Sequence, residues 1–241
     1  MRTTAVLLAA LAITVACRER PKVKPSRPAR LMDGVMRVVV IGDSLAHGTG
    51  DETGKGIPGD LEDEFKQRGM TSEVKNYGVP GATTDDVASK LHDDTIRNDL
   101  ASADAIVLSI GANNVFQDPE NRARAIRDRD AYAQEILERV AGVVSQIRAI
   151  NPDAELILLG GYNPLPDHPL AGGISRYIKN WDKLLNKRFE PDALIDVVKT
   201  SDIVDSGDKL SSADHFHPGG AAYRSVAKRI ADMLTEQIKM P

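Results

Sequence analysis

The sequence predicts an α/β fold, a three-layer α/β/α doubly wound, flavodoxin-like sheet of about five parallel strands. Three observations carry that expectation. Short β-branched apolar runs alternate with longer segments of helical spacing from Arg37 onward. The run Ala105–Ile110 is apolar at nearly every position, as a strand covered on both faces should be. The apolar runs give way to glycine and small polar residues, as in VVVIGDSLAHG from Val38, where βα loops would carry working groups.

Taken in order, Arg37–Ile41 is the first strand. Residues 58–68 place Leu61 and Phe65 at helical spacing and stop at Gly69. Glu73–Tyr77 reads as the second strand. Thr83 and Thr84 then offer caps to a helix with Asp85 and Asp86 in its first turn. After the third strand, residues 131–150 form a long amphipathic helix with Ile136, Val140, Val143, Val144 and Ile147 on its apolar side. Asn151-Pro152 stops it. Glu155–Leu159 is a strand, residues 174–189 a helix, residues 193–197 the last strand and residues 220–238 the last helix. No internal repeat is visible, and one domain spans residues 37–241.

A chain of 241 residues with 41% hydrophobic composition is ample for one core, and 4% aromatics leave that core to Val, Ile, Leu and Ala. Cys17 is the only cysteine, so no intrachain disulfide can form. It follows Arg2 and an apolar stretch from Ala5 to Ala16 that is too short to span a bilayer but fits the core of a signal peptide. The end of that stretch resembles a bacterial lipoprotein signal, with Thr14 where leucine is usual. Residues 1–16 would then be removed and Cys17 lipidated. Cleavage after Ala16 by an ordinary signal peptidase would instead give a secreted protein.

Residues 17–36 read as an extended tether. From Arg18 to Arg37 seven basic residues oppose Glu19 and Asp33, and three prolines interrupt any periodicity. Such a segment can rest on anionic headgroups, at ~1 kcal/mol per basic residue near the surface. With the whole chain at −4, the body after Arg37 is strongly acidic, which argues against nucleic acid as a partner.

The expected strand ends supply a short list of chemical groups: Gly42-Asp43-Ser44, Asn76 to Gly81, Gly111 to Asn114, and Gly160 to Asn163. Asp214-His215-Phe216-His217-Pro218 stands before the last helix. A nucleophilic serine needs a base within hydrogen-bond reach, and the base needs a partner that fixes its tautomer. Asp214 and His217, three apart, could come from one turn. The Ser44 N–H, a glycine N–H and an asparagine amide could face a tetrahedral oxyanion. Of the adjacent Asn113 and Asn114, an extended strand end would turn only one toward Ser44.

Gly42-Asp43-Ser44-Leu45, Gly81 within NYGVPGATT, Gly111-Ala-Asn113 and Asp214-His-Phe-His217-Pro218 occur in order, and together they resemble the GDSL esterases and lipases, also called SGNH hydrolases. The likeness covers essentially everything from Arg37 onward. It implies Ser44 as nucleophile, His217 as general base and Asp214 as its orienter. It also implies an oxyanion hole from the Ser44 and Gly81 N–H groups and the Asn113 side chain. NYGVPG, Gly161-Tyr-Asn-Pro164 and DHFHP look like lipolytic lipoproteins of Gram-positive bacteria within that family. Asn114 departs from a common aspartate, at a position that is not an oxyanion donor in the family.

HGTGDETGKG misses the P-loop pattern at Thr49 and Gly56 and is better taken as a mobile wall of the site. No second ligand pair accompanies Asp214, His215 and His217, so neither metal nor other cofactor is expected. His92-Asp93-Asp94 reads as a solvated helical face and His168 as an exposed loop residue. Ala46 two positions after Ser44 disfavours an α/β-hydrolase elbow.

The resulting expectation is an extracytoplasmic serine ester hydrolase, carboxylesterase-like or lysophospholipase-like, that acts on a small-molecule acyl ester and is held to the membrane by lipid and tether. An acyltransferase using the same residues and a non-catalytic surface-binding lipoprotein are the alternatives. Phe116, Tyr162, Leu165 and Leu170 are candidates to shape an acyl pocket. Lysophospholipid, short-chain ester, thioester and acetylated sugar remain open as substrates.

Overall fold

The computed structural model describes residues 33–236. The expected signal segment, Cys17 and nearly all of the tether lie outside them. Five strands form one parallel sheet: β1 (Val35–Gly42), β2 (Thr71–Gly78), β3 (Ala105–Ser109), β4 (Glu155–Leu159) and β5 (Ile195–Val198), in the order β2-β1-β3-β4-β5. This is the flavodoxin-like doubly wound order, with the switch point between β1 and β3. Register pairs Gly42 with both Gly78 and Ser109, which aligns the carboxyl ends of the three strands.

The apolar strands alternate between two cores. Val39 and Ile41 of β1, Ile106 and Leu108 of β3, and Leu156 and Leu158 of β4 face one side. There they meet α3 (Thr84–Lys90), α4 (Asp94–Ser102), α7 (Arg129–Ile150) and α8 (Ala171–Phe189). Met36, Val38, Val40, Ala105, Val107, Ile157 and Leu159 face the other side, against α1 (Ser44–His47), α2 (Gly56–Gln67) and α9 (Gly220–Glu236). Period-two alternation with both faces covered is why these strands read as unbroken apolar runs.

Several boundaries differ from the sequence reading. β1 begins at Val35, so Val35 and Met36 belong to the sheet and not to the tether; Met36 is fully buried. The segment after Thr83 is two helices. Thr83 and Asp86 form a capping box on α3, and Asp93 then caps α4 by accepting from the Thr95 and Ile96 N–H groups. His92 therefore sits in the turn between helices, not on a helical face. Two further helices, α5 (Ala112–Phe116) and α6 (Pro119–Arg127), fill the stretch between β3 and α7. The last strand starts late because Asp192 closes a turn, its carboxylate accepting from Leu194 N–H and its carbonyl from Ile195 N–H.

Candidate active site

Ser44 follows the end of β1 at the first position of α1, where helix N–H groups lack intrahelical partners. Asp43 caps that turn, its carboxylate accepting from Leu45 N–H at 3.0 Å. Gly42 is needed for a close approach: a Cβ there would stand 1.9 Å from the Ser109 carbonyl oxygen, and its φ is +140°. The nucleophile candidate thus sits where β1 and β3 touch.

Asp214 and His217 come from the turn before α9. One Asp214 oxygen accepts the Phe216 and His217 N–H groups at 2.9 and 3.0 Å. The other meets His217 Nδ1 at 2.6 Å. His217 Nε2 lies 3.0 Å from Ser44 Oγ. Burial raises the Asp214 carboxyl, but hydrogen bonds from the His217 ring and from the His217 and Phe216 N–H groups outweigh it. They hold the carboxyl below its ordinary value. The turn is tied at its base by Ser211 N–H to the His217 carbonyl at 2.7 Å and by a bridge between Leu210 and Pro218. His215, at φ +53°, carries the left-handed residue that tightens the turn.

The oxyanion candidates meet at the same place. Asn113 lies on α5 and donates one amide N–H to the Ala82 carbonyl at 3.0 Å, leaving the second N–H of the amide for a ligand. Gln117, one turn on, donates to the Gly81 carbonyl. Together the two amides fix residues 81–82 and so aim the Gly81 N–H. Among the described residues, neither that N–H nor the Ser44 N–H has a protein partner. The expectation that a strand end separates the two asparagines is corrected here. Gly111 turns the chain at φ +114° and both stand on a short helix, about 100° apart in direction. Asn114 is buried, accepting from Thr84 N–H at 3.1 Å and donating to Thr84 Oγ1 at 2.9 Å.

Ser44, Asn113 and His217 open on a cavity of about 310 Å³. Phe116 and Tyr162 line it, as expected. Leu165 and Leu170 do not; they stand exposed beyond it. Val115, Tyr177, Ile178 and Trp181, none named from the sequence, and Ile136, read there only as a core position, form much of its wall. Val115 lies on the short α5, and the others on α7 and α8 have the helical spacing of ordinary core residues, so only the tertiary arrangement shows that they face a cavity. Phe216 packs edge-on against both His217 and Phe116 at the rim. His168 is exposed and away from the cavity.

The loop of residues 48–56, expected to be mobile, is laced to its surroundings. Asp51 accepts from Thr53 and Gly56 N–H, Glu52 accepts from Gly220 N–H, and Tyr223 donates to the Thr49 carbonyl. Among the described residues no group of three or more His, Cys, Asp or Glu side chains is arranged to hold a metal.

A hydroxyl, an imidazole and a carboxylate in line, with N–H donors beside the hydroxyl, can perform acyl transfer. A model of the GDSL-like Lipase/Acylhydrolase family matches residues 40–225. The uncharacterized protein YpmR of Bacillus subtilis strain 168 is 29% identical over 208 residues, which cover 83% of this chain and 82% of that one. Among solved structures, the lipase Lip_vut3 from a goat rumen metagenome superposes with a TM-score of 0.68 at 20% identity, covering 81% of this chain and 97% of its own. A Clostridium thermocellum family 3 carbohydrate esterase gives 0.62 at 19%, covering 85% and 96%. The psychrotrophic esterase EstA of Pseudoalteromonas sp. gives 0.60 at 18%, covering 86% and 100%. Those structural likenesses speak for the fold, whereas the family match spans most of the chain: it belongs to the GDSL-like lipase/acylhydrolase family and is an ester-hydrolysing enzyme.

Proposed function

We propose that the protein is an extracytoplasmic carboxylic ester hydrolase that works through an acyl-serine intermediate, with Ser44 as nucleophile. The observation that carries this reading is the continuous Asp214–His217–Ser44 hydrogen-bond line, 2.6 and 3.0 Å, at the mouth of an apolar cavity. Ser44 Oγ attacks the ester carbonyl carbon while His217 Nε2 takes its proton. The Asp214 carboxylate stabilises the imidazolium and fixes its orientation. The carbonyl oxygen, now an anion, takes hydrogen bonds from the Ser44 and Gly81 N–H groups and the free Asn113 N–H. The imidazolium returns its proton to the leaving alkoxide, releasing the alcohol. A water activated by the same imidazole then cleaves the acyl-serine to the free acid. In this scheme Asp214 stays ionised throughout, in keeping with its lowered carboxyl.

The site outside the cytoplasm is supported by the apolar leader that ends at Cys17 and by the basic tether after it. We take Cys17 as the lipidated first residue of the mature chain, similar to the lipolytic lipoproteins of Gram-positive bacteria. The exposed apolar side chains Phe116 and Phe216 at the cavity rim suit substrates drawn from an apolar phase.

The test is variant kinetics with covalent labelling. Ser44→Ala folds and loses esterase activity by several orders of magnitude, and a serine-directed phosphonate labels wild type at Ser44. His217→Ala is nearly inactive, while His215→Ala, whose ring is outside the hydrogen-bond line, keeps most of its activity. Retained turnover in the Ser44 variant, or the reverse ranking of the histidines, refutes the assignment.

A further inference from the structure

The cavity at Ser44 runs from an exposed rim to a buried base. Phe116 and Phe216 at the rim are 47% and 36% exposed, while Ile136 and Trp181 are 2% and 9% exposed and belong to the main core. One face of α8 supplies Ile174, Tyr177, Ile178 and Trp181 to the wall, at intervals of three and four residues. One turn later the same face carries Leu185, which lies in the core and not in the cavity. On α7 the change comes between Ile136, which lines the cavity, and Val140, which does not. Trp181 is thus the last cavity residue of α8, as Ile136 is of α7.

The indole also bridges the two loops above it. A Cβ on Gly111 would lie 3.5 Å from Trp181 Cζ2, and a Cβ on Gly161 would lie 3.8 Å from its Cδ1. The ring therefore reaches from the turn after β3 to the turn after β4 and fills the space between the two strand ends.

We infer that Trp181 is a specificity-determining residue: its indole closes the inner end of an acyl pocket and restricts the enzyme to esters of medium-length acyl chains. This rests on the esterase reading above and adds the substrate class and the residue that sets it. The size follows from the volume. A cavity of about 150 Å³ takes one benzene ring, so about 310 Å³ has room for roughly twice that, about twelve non-hydrogen atoms. Allowing room for the carboxyl group at Ser44, a chain of about eight to ten carbons fills the cavity. An acetyl group would leave most of this apolar wall without a partner, and a long chain would meet the indole.

The experiment measures kcat/KM for p-nitrophenyl esters of graded length, acetate to palmitate, on wild type, Trp181→Ala, Trp181→Phe and Val115→Phe. For wild type each added methylene raises kcat/KM by roughly threefold to fourfold until the pocket is full, near C8 to C10, after which it falls. Trp181→Ala moves the maximum to C12 or beyond and raises the ratio of C14 to C8 turnover by more than tenfold. Trp181→Phe moves it less, and Val115→Phe, which narrows the half-buried wall, moves it to shorter chains. An unmoved maximum in Trp181→Ala with native circular dichroism overturns the role of Trp181, as does a wild-type maximum at acetate. If the alanine variant does not fold, an unmoved maximum in both Trp181→Phe and Val115→Phe overturns it equally. Wild type inert toward every ester would instead refute the esterase reading itself, so the two failures are distinct.

Discussion

Asp43 and Ser109 are latched to each other twice beneath the nucleophile: the Ser109 hydroxyl donates to the Asp43 carboxylate at 2.8 Å, and the Asp43 N–H donates to the Ser109 carbonyl at 3.0 Å. The pair joins the ends of β1 and β3, the strands that lead to Ser44 and to Asn113.

That latch has a pH signature. Burial raises the Asp43 carboxyl from 3.8 to about 6, against the opposing hydrogen bonds from Ser109 and from the Leu45 and Ala46 N–H groups. Between those values the folded protein holds a proton that the unfolded chain has lost. This contribution is therefore most favourable below about pH 4 and is lost as pH rises through about 6. Two units correspond to about 3 kcal/mol. Asp43→Asn removes the titration. In urea unfolding series, the stability of wild type minus that of Asp43→Asn should fall by about 2 kcal/mol from pH 4 to pH 7. Parallel curves would show that the carboxylate ionises without cost in the fold.

The two asparagines of α5 should separate by kinetics and stability. Asn113→Ala removes a donor that acts on the tetrahedral state, so kcat drops by ~10²–10³ with KM little changed. Asn114→Ala cuts both hydrogen bonds to Thr84 in a buried setting and costs about 1–3 kcal/mol of stability, with less than a tenfold loss in kcat. Steady-state kinetics and chemical denaturation of both variants check this, and the opposite pattern would exchange their roles.

Anchoring is tested at Cys17. Expressed in a bacterium, wild type should partition with membranes and incorporate labelled palmitate, and Cys17→Ser should do neither. One or more acyl chains beside a basic segment suffice for stable attachment. Release of both forms into the medium in equal amounts would mean plain secretion.

The sheet was legible because its strands are covered on both sides, so β1, β3 and β4 show as apolar runs and their ends can be searched for chemistry. Ser44 and Asn113 stand just past such ends, while Gly81 after β2 and Asp214 and His217 before α9 take their roles from the family resemblance; the structure brings all five to the cavity mouth or, for Asp214, directly behind it. What the sequence hid depends on tertiary contact. Gln117 looks like any polar helix residue until its amide meets the Gly81 carbonyl. Trp181 carries the apolar spacing of a core position, and half of its role is a core position. Leu165 and Leu170 misled because an apolar residue in a loop near the site reads the same whether it points in or out. The extended geometry assumed for Asn113 and Asn114 failed at Gly111, whose left-handed φ starts a helix immediately after β3.

The turn before α9 builds the acid–base pair from four consecutive residues, with Asp214 gripping both the backbone and the ring of His217. The pair is therefore a preassembled cartridge, docked through His217 to Ser44, through the Tyr162 hydroxyl to the Phe216 carbonyl, and through the packing of Phe216 on Phe116. Displacement of this turn alone would withdraw base and orienter together and leave the nucleophile, the oxyanion donors and the rest of the pocket wall in place. Thermal inactivation should then precede the loss of sheet structure and reverse on cooling. A chain in that condition would still hold a ligand, as a receptor without a reaction.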